Sequence, residues 1–202
     1  MIHIIDYGRG NLRSVHKAFL SLGLQAEIVN QPEKLNSASG IVLPGVGAFG
    51  DCMSQLENKG FPEIMIERIG KGVPFLGICL GLQLLFEESE ESPGVRGLSL
   101  LKGKVVRFQG CYKIPQMGWN QVQFRQNAPF VEGIPEKSYF YFVHSYKVEP
   151  GDQSVMLGET DYHGHYVSAV NRANMLGFQF HPEKSQKDGL RLLKNWGESC
   201  AG

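Results

Sequence analysis

The apolar segment that leads into Cys79 constrains the fold of this 202-residue chain more than any other feature. Residues 73–78, VPFLGI, have the pattern of a buried strand, and the apolar residues that follow, up to Phe86, continue as a helix-like stretch. Gly77 and Gly81 lie two residues on either side of Cys79, as in the G-x-S-x-G turn that lifts a nucleophile clear of a sheet. The first N–H groups of a helix at this turn would favour a thiolate. The segment therefore predicts a nucleophile elbow with sulfur in place of oxygen.

A second motif lies a hundred residues later, where the segment GFQFHPE, residues 177–183, ends an apolar strand. Residues two apart on an extended segment share a face, so we expect His181 and Glu183 to lie side by side. With Cys79 they would supply a nucleophile, a base and an orienting acid. A buried cysteine alone often only packs, but two motifs at strand ends converge where open parallel sheets place their sites. Together they favour a catalytic thiol.

Two other patterns suggest different chemistry. His144 is a rival base, but it lies among aromatic residues without an adjacent acid, which is typical of a packed, hydrogen-bonded histidine. Residues 45–50 match the dinucleotide fingerprint G-x-G-x-x-G. The acids about twenty residues on, Glu63 and Glu67, fall within a helical pattern rather than at a strand end, where a ribose would be held. We therefore expect this glycine-rich turn to bring backbone N–H groups to a substrate oxygen.

Charge and cysteine content exclude several classes of protein. Twenty basic and twenty acidic residues cancel without a basic cluster, which argues against nucleic acid or an anionic membrane as a partner. The start of the chain lacks the pattern of a signal peptide, and no run approaches the ~18 apolar residues of a membrane span, so we expect a cytoplasmic protein. The four cysteines lack C-x-x-C spacing, which argues against a metal site and a disulfide framework. We expect Cys52, Cys111 and Cys200 to be non-catalytic.

The alternation of apolar runs and helical patterns predicts an α/β fold. Its first half should form an open, mostly parallel sheet with helices on both faces, of the flavodoxin-like kind, and antiparallel strands should extend the sheet in the second half. We expect a single domain over residues 1–202, with no cofactor. The predicted strands are 2–5, 26–29, 41–43, 75–78, 104–108, 121–124, 139–143, 155–158, 166–170 and 176–180.

The spacing of apolar residues also predicts the positions of the helices. Asn11 is placed to cap a helix with Val15 and Phe19 on its buried stripe, and a second helix covers residues 49–56. A final helix from Gln186 to about Trp196 should turn Leu190, Leu193 and Trp196 inward. The acidic run over residues 87–91 is expected to be solvated, and His163 and His165 to flank a hairpin tip.

The assembled motifs resemble those of the class I, triad-type glutamine amidotransferases and, more narrowly, of the glutaminase subunits of imidazole glycerol phosphate synthase. The elbow and the His-Pro-Glu element are shared across the class I enzymes, whereas PGVG, MGWN and YFVHSY are the more specific motifs. Gln116 departs from the pattern, since many members have a histidine there. The motifs are DYGRGN (6–11), LPGVG (43–47), GICLG (77–81), FEESEE (86–91), MGWN (117–120), YFVHSY (141–146) and GFQFHPEKS (177–185).

The resemblance implies a role for each matching residue. Cys79 would attack the glutamine carboxamide, His181 would transfer protons and Glu183 would orient the imidazole. Backbone N–H groups of Leu80 and of the Val46–Gly47 turn would form an oxyanion hole. The remaining implied residues are Gly45, Gln83, Ser145 and Tyr146 for substrate binding, and Asn11, Trp119, Tyr141 and Lys184 for a partner interface.

The partner implied by the resemblance is a (β/α)₈-barrel cyclase in a 1:1 heterodimer. Ammonia released from glutamine would pass to it for the synthesis of imidazole glycerol phosphate and aminoimidazole carboxamide ribonucleotide in histidine biosynthesis. Three alternatives stay open at this point. They are a glutaminase serving an amino-sugar or pyridoxal phosphate pathway, a catalytically silent regulatory subunit, and a thiol-based stress protein of similar architecture.

Overall fold

The computed structural model describes residues 1–125 and 128–200. An eleven-stranded sheet forms its centre, and five neighbouring strands of this sheet run parallel in the order β2-β1-β3-β4-β13. Nearly all their residues are buried, which is why they read as continuous apolar runs rather than as alternating patterns. These strands are β1 (Ile2–Ile5), β2 (Ala26–Val29), β3 (Gly40–Gly45), β4 (Phe75–Cys79) and β13 (Met175–Phe178).

Antiparallel pairing extends the sheet beyond β13, as predicted. β12 pairs with β13, β10 with β12, and β6 with β10, while β11 pairs with both β12 and β8. A short parallel pairing of β5 with β6 ends this side. The strands are β5 (Glu88–Ser89), β6 (Gly103–Arg107), β8 (Gln123–Phe124), β10 (Tyr146–Pro150), β11 (Met156–Asp161) and β12 (His165–Arg172).

Two strands pair with each other apart from the main sheet. One of them matches the strand predicted at 139–143, but their separate pairing was not predicted. β7 (Gln116–Gln121) pairs antiparallel with β9 (Tyr139–His144), so that Trp119 lies opposite Tyr141. The strand predicted at 121–124 is in fact the end of β7 followed by β8. Strand β10 was missed as well, because its lysine, glutamate and proline give no apolar run.

Helices cover both faces of the sheet, as predicted. Helices α1 and α5 pack in one apolar cluster around Phe19 and Trp196, and α2 and α3 pack in another around Phe49 and Phe61. The helices are α1 (Leu12–Ser21), α2 (Phe49–Asn58), α3 (Phe61–Gly70), α4 (Leu80–Gln83) and α5 (Gln186–Ser199). Short 3₁₀ turns cover Pro32–Ser37, Pro129–Val131, Gln153–Val155 and Pro182–Lys184.

Some helical details differ from the prediction. The helix after Cys79 is a single turn that ends at Gln83, and the apolar residues that continue to Phe86 are buried without being helical. Asn11 precedes α1 as expected, but its side chain makes no capping hydrogen bond. In α5, Leu193 and Trp196 are buried as predicted, while Leu190 is only partly buried.

No helix among residues 1–125 and 128–200 is long and apolar enough to cross a membrane.

The packing of α1 against α5 generates a stability prediction. Trp196 is 1% exposed and its ring centroid lies 5.8 Å from that of Phe19. Trp196→Ala should lower the free energy of unfolding by about 3–5 kcal/mol, because it leaves a large cavity. Leu20→Ala on the outer side of α1, where Leu20 is 51% exposed, should change it by less than about 0.5 kcal/mol. Urea denaturation measures both, and equal losses would contradict this account of the core.

Candidate active site

Cys79 lies at a strained turn between β4 and α4. Its φ of 55° and ψ of −108° belong to a region that residues with a side chain rarely adopt. The flanking glycines are needed for close approach, since neither has a positive φ. A Cβ on Gly81 would lie 1.8 Å from the carbonyl oxygen of Leu43, and one on Gly77 would lie 2.6 Å from that of Gly81. The strain is therefore in the nucleophile's own backbone, and the glycines provide the space.

His181 and Glu183 meet, as the sequence predicted, but for a different reason. The Nδ1 atom of His181 lies 2.9 Å from Oε1 of Glu183. The segment is not extended throughout, because Pro182–Lys184 forms a 3₁₀ turn that brings the carboxylate back to the ring. The backbone N–H of His181 also donates to the carbonyl of Tyr141 at 2.9 Å, which ties this turn to β9.

Charge in the site changes the protonation of His181. Burial alone would lower its pKa, but the negative charge of a Cys79 thiolate, together with the hydrogen-bonded carboxylate of Glu183, raises the pKa to about 10. The second ring nitrogen, Nε2, is buried and has no hydrogen-bond partner among the described residues. A charged imidazole beside Cys79 is the kind of neighbour that activates a cysteine as a nucleophile.

A cavity of about 360 Å³ opens in front of this pair, within the roughly 300–1,000 Å³ range of small-molecule sites. Most of the predicted substrate and oxyanion residues line it. Gly45 does not: it lies beneath the elbow, where an added Cβ would meet the Leu80 side chain at 2.8 Å. The lining residues are Val46, Gly47, Cys79, Leu80, Gln83, Glu91, Pro115, Val143, His144, Ser145, Tyr146 and His181.

Two glutamine side chains hold the inner wall of the cavity. Gln83 Nε2 donates to the carbonyl of Tyr146 and to Oε1 of Gln179, both at 3.1 Å. Gln179 Nε2 in turn lies 3.8 Å from the Cys79 sulfur. Sequence reasoning missed Gln179, although its place two residues before His181, on the same strand end, was a usable signal.

His144 lines the cavity but has the contacts of a packed histidine. Its two ring nitrogens lie 2.8 Å from the Tyr146 carbonyl and 3.2 Å from the Tyr166 hydroxyl. Burial lowers its pKa to about 4. A neutral ring with both nitrogens engaged is poorly suited to act as the base, in keeping with the sequence-based choice of His181.

The acidic run over residues 87–91 caps backbone groups and is not simply solvated. The carboxylate of Glu91 accepts from the Phe49 N–H at 2.7 Å, and the Ser92 hydroxyl accepts from the Gly50 N–H at 2.9 Å. These two side chains fill the N-terminus of α2, where the dinucleotide fingerprint would require a phosphate. The prediction that residues 45–50 do not bind a dinucleotide agrees with this contact.

Three of the four residues assigned to a partner interface lie together, and the fourth lies apart from them. The Tyr141 ring lies between Trp119, at 6.2 Å between centroids, and Lys184, whose Nζ is 5.7 Å from the ring centre. Asn11 Nδ2 instead donates to Oε1 of Glu183 at 3.5 Å, which places it behind the triad. Trp119 is 47% exposed and Lys184 is exposed as well, so this surface offers an aromatic ring and a positive charge to solvent.

The other cysteines have different surroundings. Burial raises the pKa of Cys52, and it raises that of Cys200 to about 12, whereas Cys111 is exposed. Within residues 1–125 and 128–200 no group of three or more His, Cys, Asp or Glu side chains is placed to hold a metal ion. His163 and His165 therefore belong to no such group.

Comparisons with known proteins agree with this geometry. The family model for class-I glutamine amidotransferases matches residues 3–199. Imidazole glycerol phosphate synthase subunit HisH of Desulfitobacterium hafniense (strain Y51) is 52% identical over 198 residues, covering 98% of this chain and 94% of that protein. The Aquifex aeolicus (strain VF5) subunit of the same name is 51% identical over 194 residues, covering 96% and 94%.

Solved structures show the same fold at low identity. A glutamine amidotransferase superposes with a TM-score of 0.79 at 19% identity, covering 100% of this chain and 99% of that chain. PurLQS from Thermotoga maritima gives a TM-score of 0.76 at 18% identity, covering 96% of each chain.

The close approach at Gly81 predicts that even one methyl group is not tolerated there. Gly81→Ala should abolish the folded elbow, because the new Cβ would collide with backbone that cannot move aside. Gly70→Ala at the end of α3, where an added Cβ meets nothing within 4 Å, should leave stability unchanged or slightly raised. Thermal unfolding of the two variants makes the comparison, and a Gly81→Ala protein as stable as the unmodified chain would contradict it.

The thiolate pairing predicts which cysteine reacts first. Iodoacetamide near neutral pH should alkylate Cys79 before Cys111, although Cys111 is the exposed thiol, because only Cys79 has an imidazolium partner. Peptide mapping over time gives the order of modification. A faster reaction at Cys111, or equal rates at both thiols, would count against the pair.

Proposed function

The chain belongs to the class I glutamine amidotransferases and, within them, to the glutaminase subunits of imidazole glycerol phosphate synthase; we propose that it hydrolyses glutamine with Cys79, His181 and Glu183. The observation that carries this assignment is the 2.9 Å contact of His181 with Glu183. It lies in the same cavity as a thiol held at a strained strand-to-helix turn. Nucleophile, base and orienting acid thus lie at one site.

The first half of the reaction forms a thioester. The Cys79 thiolate attacks the carboxamide carbon of glutamine, and the carbonyl electrons move to oxygen. When the tetrahedral intermediate collapses, the C–N bond breaks and His181 gives its proton to the leaving nitrogen, which departs as ammonia. Glu183 keeps the imidazole oriented and stabilises its charged form, which is the form that holds this proton.

The second half releases glutamate. Water loses a proton to the neutral His181 as its oxygen attacks the thioester, and the C–S bond then breaks to restore the thiolate. Both halves place negative charge on the same oxygen. We assign its stabilisation to the N–H of Leu80, in the first turn of α4, and to one from the Val46–Gly47 turn, each worth roughly 3 kcal/mol of barrier.

The amino-acid end of glutamine needs few charged side chains. Both N–H groups of the Gln83 amide are used within the protein, so its Oε1 is the atom left to accept from the substrate's ammonium. Backbone groups around Ser145 and Tyr146 complete this end of the cavity. Gly45 contributes by letting the elbow pack closely rather than by direct contact.

Ammonia is the product that the partner uses. The partner is the cyclase subunit of the synthase, a (β/α)₈ barrel, which makes imidazole glycerol phosphate and aminoimidazole carboxamide ribonucleotide in histidine biosynthesis. We place the 1:1 contact on the exposed surface of Trp119, Tyr141 and Lys184, with Asn11 linking it to the triad. We also propose a single domain over residues 1–202 and a cytoplasmic location.

The alternatives weighed from the sequence fare less well. The relatives that are about half identical over almost the whole chain are named as subunits of one synthase, which disfavours an amino-sugar or pyridoxal phosphate pathway. A silent regulatory subunit has no need of the paired His181 and Glu183. A stress protein with a lone reactive thiol has no need of them either.

Removal of the nucleophile should separate the two sources of ammonia. In the complex, Cys79→Ala should abolish glutamine-dependent synthesis while synthesis from added ammonium salt continues, because only glutamine hydrolysis needs the thiolate. Formation of imidazole glycerol phosphate under each condition is the measurement. Cys111→Ala, at an exposed position away from the cavity, is the matched control and should retain both activities. Parallel loss of both activities in an intact Cys79→Ala complex would make the thiol structural.

A further inference from the structure

Gln116 is a buried polar residue that the proposed mechanism does not use. It is 2% exposed, lies directly opposite His144 in the β7–β9 pairing, and contacts the Tyr166 hydroxyl at 2.8 Å. From these contacts we infer that Gln116 is a positioning residue: it donates to Tyr166, Tyr166 donates to His144, and His144 holds the Tyr146 carbonyl that fixes Gln83. This inference rests on the proposed function, because Gln83 is assigned there to the substrate.

The proton on His144 can be placed from its neighbours. Nδ1 lies 2.8 Å from the Tyr146 carbonyl oxygen, which can only accept, so Nδ1 must carry the hydrogen. A buried histidine whose pKa is lowered to about 4 has one ring hydrogen at neutral pH. Nε2 is therefore a bare acceptor, and the Tyr166 hydroxyl at 3.2 Å is its partner. Tyr166 must therefore donate its single hydroxyl proton to His144.

The matching of hydrogen-bond donors with acceptors also determines the orientation of the Gln116 amide. With Oε1 toward Tyr166, the oxygen would need the proton that His144 already requires, and the buried Nε2 of Gln116 would have no partner. A half-turn of the amide removes both conflicts, since Nε2 then donates to the Tyr166 oxygen. The atom left unpaired becomes a carbonyl oxygen, which is less costly to bury than an unpaired N–H. Thr160, the other hydroxyl that interacts with Tyr166, already donates its proton to Ser168 at 2.8 Å.

The relay ends at the substrate cavity. The Tyr146 carbonyl accepts from both His144 Nδ1 and Gln83 Nε2, so its two lone pairs are used. If His144 placed its hydrogen on Nε2, two acceptors would face each other at 2.8 Å and the carbonyl would turn away. Gln83 would then lose one of the two contacts that hold it. The expected effect is on binding of glutamine rather than on the chemical step.

Two variants separate the relay from simple packing. Gln116→Glu keeps the shape but replaces the donor with an acceptor, which would draw the Tyr166 proton away from His144. Gln116→Met changes polarity and outline but leaves Tyr166 free to donate to His144. In the complex with the cyclase, we expect Gln116→Glu to raise KM for glutamine about tenfold, because the loss of one hydrogen bond typically weakens binding by about that factor. The value of kcat should stay within about threefold of that of the unmodified complex. Gln116→Met removes the donor without adding a competing acceptor, so it should raise KM for glutamine less, by about threefold, with kcat unchanged.

The tautomer of His144 is a second readout, independent of activity. Long-range ¹H–¹⁵N spectra of the full chain report the tautomer. The His144 signals can be assigned through the proximity of this ring to the Phe108 and Phe142 rings. The unmodified protein should show hydrogen on Nδ1 of His144 only. The Gln116→Glu variant should show hydrogen on Nε2. If that variant does not fold, Tyr166→Phe removes the donor to His144 without adding charge. The His144 ring then loses one of its two hydrogen bonds and is held less firmly, so KM for glutamine should rise, but by less than in Gln116→Glu.

Each outcome has a definite meaning. Hydrogen on Nε2 in the unmodified protein would overturn the relay, and so would a rise in KM as large for Gln116→Met as for Gln116→Glu. An unchanged KM in both Gln116→Glu and Tyr166→Phe would also overturn it. Failure of the unmodified complex to hydrolyse glutamine would overturn the proposed function instead, while the tautomer would still decide the relay.

Discussion

The whole site depends on how closely the turn after Cys79 approaches the neighbouring strand. The backbone at Gly81 packs against the carbonyl of Leu43 with no room for a side chain, and Gly45 and Gly77 leave similar space around the turn. This close packing holds Cys79 at a positive φ that an isolated chain would abandon. The strain is sustained because β4 is hydrogen-bonded on both sides, to β3 and to β13. The thiol is presented by the rigid centre of the sheet, where few groups can shift.

Two histidines share the cavity, and their surroundings push them to opposite protonation states. His181 is kept charged by a thiolate and a carboxylate, while His144 has a carbonyl and a hydroxyl around it and stays neutral. Desolvation acts on both, so the difference comes from the neighbours. Divergent titration of two nearby groups is a common way to divide roles in an active site. In the proposed mechanism the His181 imidazole transfers protons, whereas the His144 imidazole positions the Tyr146 carbonyl in the cavity lining.

The sequence predicted the parts of the molecule that local pattern controls. The buried parallel strands gave continuous apolar runs, and α1 and α5 gave clear stripes, so their positions were found to within a few residues. The separate β7–β9 sheet was not found, because QMGWNQ has polar residues at most positions and pairs only with a distant segment. The acidic run is exposed at Glu88 and Glu90, as expected, but its contacts with backbone groups remote in sequence, such as the Phe49 N–H, were not predicted.

Within the site, chemistry was easier to predict than geometry. Cys79, His181 and Glu183 were identified because spacing limits what such residues can do together. The contact of His181 with Glu183 was expected from an extended strand, yet a 3₁₀ turn produces it. Gln179 was overlooked because a glutamine between two phenylalanines is unremarkable until its neighbours in space are known. Contacts of this kind arise between strands distant in sequence, which a local pattern cannot predict.

The position of β4 also determines how the protein should lose its reactivity. Amide hydrogens in a strand paired on both sides exchange with solvent only when most of the molecule opens, whereas β7, which pairs only with β9, can open locally. The nucleophile thus belongs to the cooperative unit that opens last, and the exposed Trp119 belongs to one that opens early. On gentle warming, we expect the exposed surface around Trp119 to loosen while the thiol stays in place.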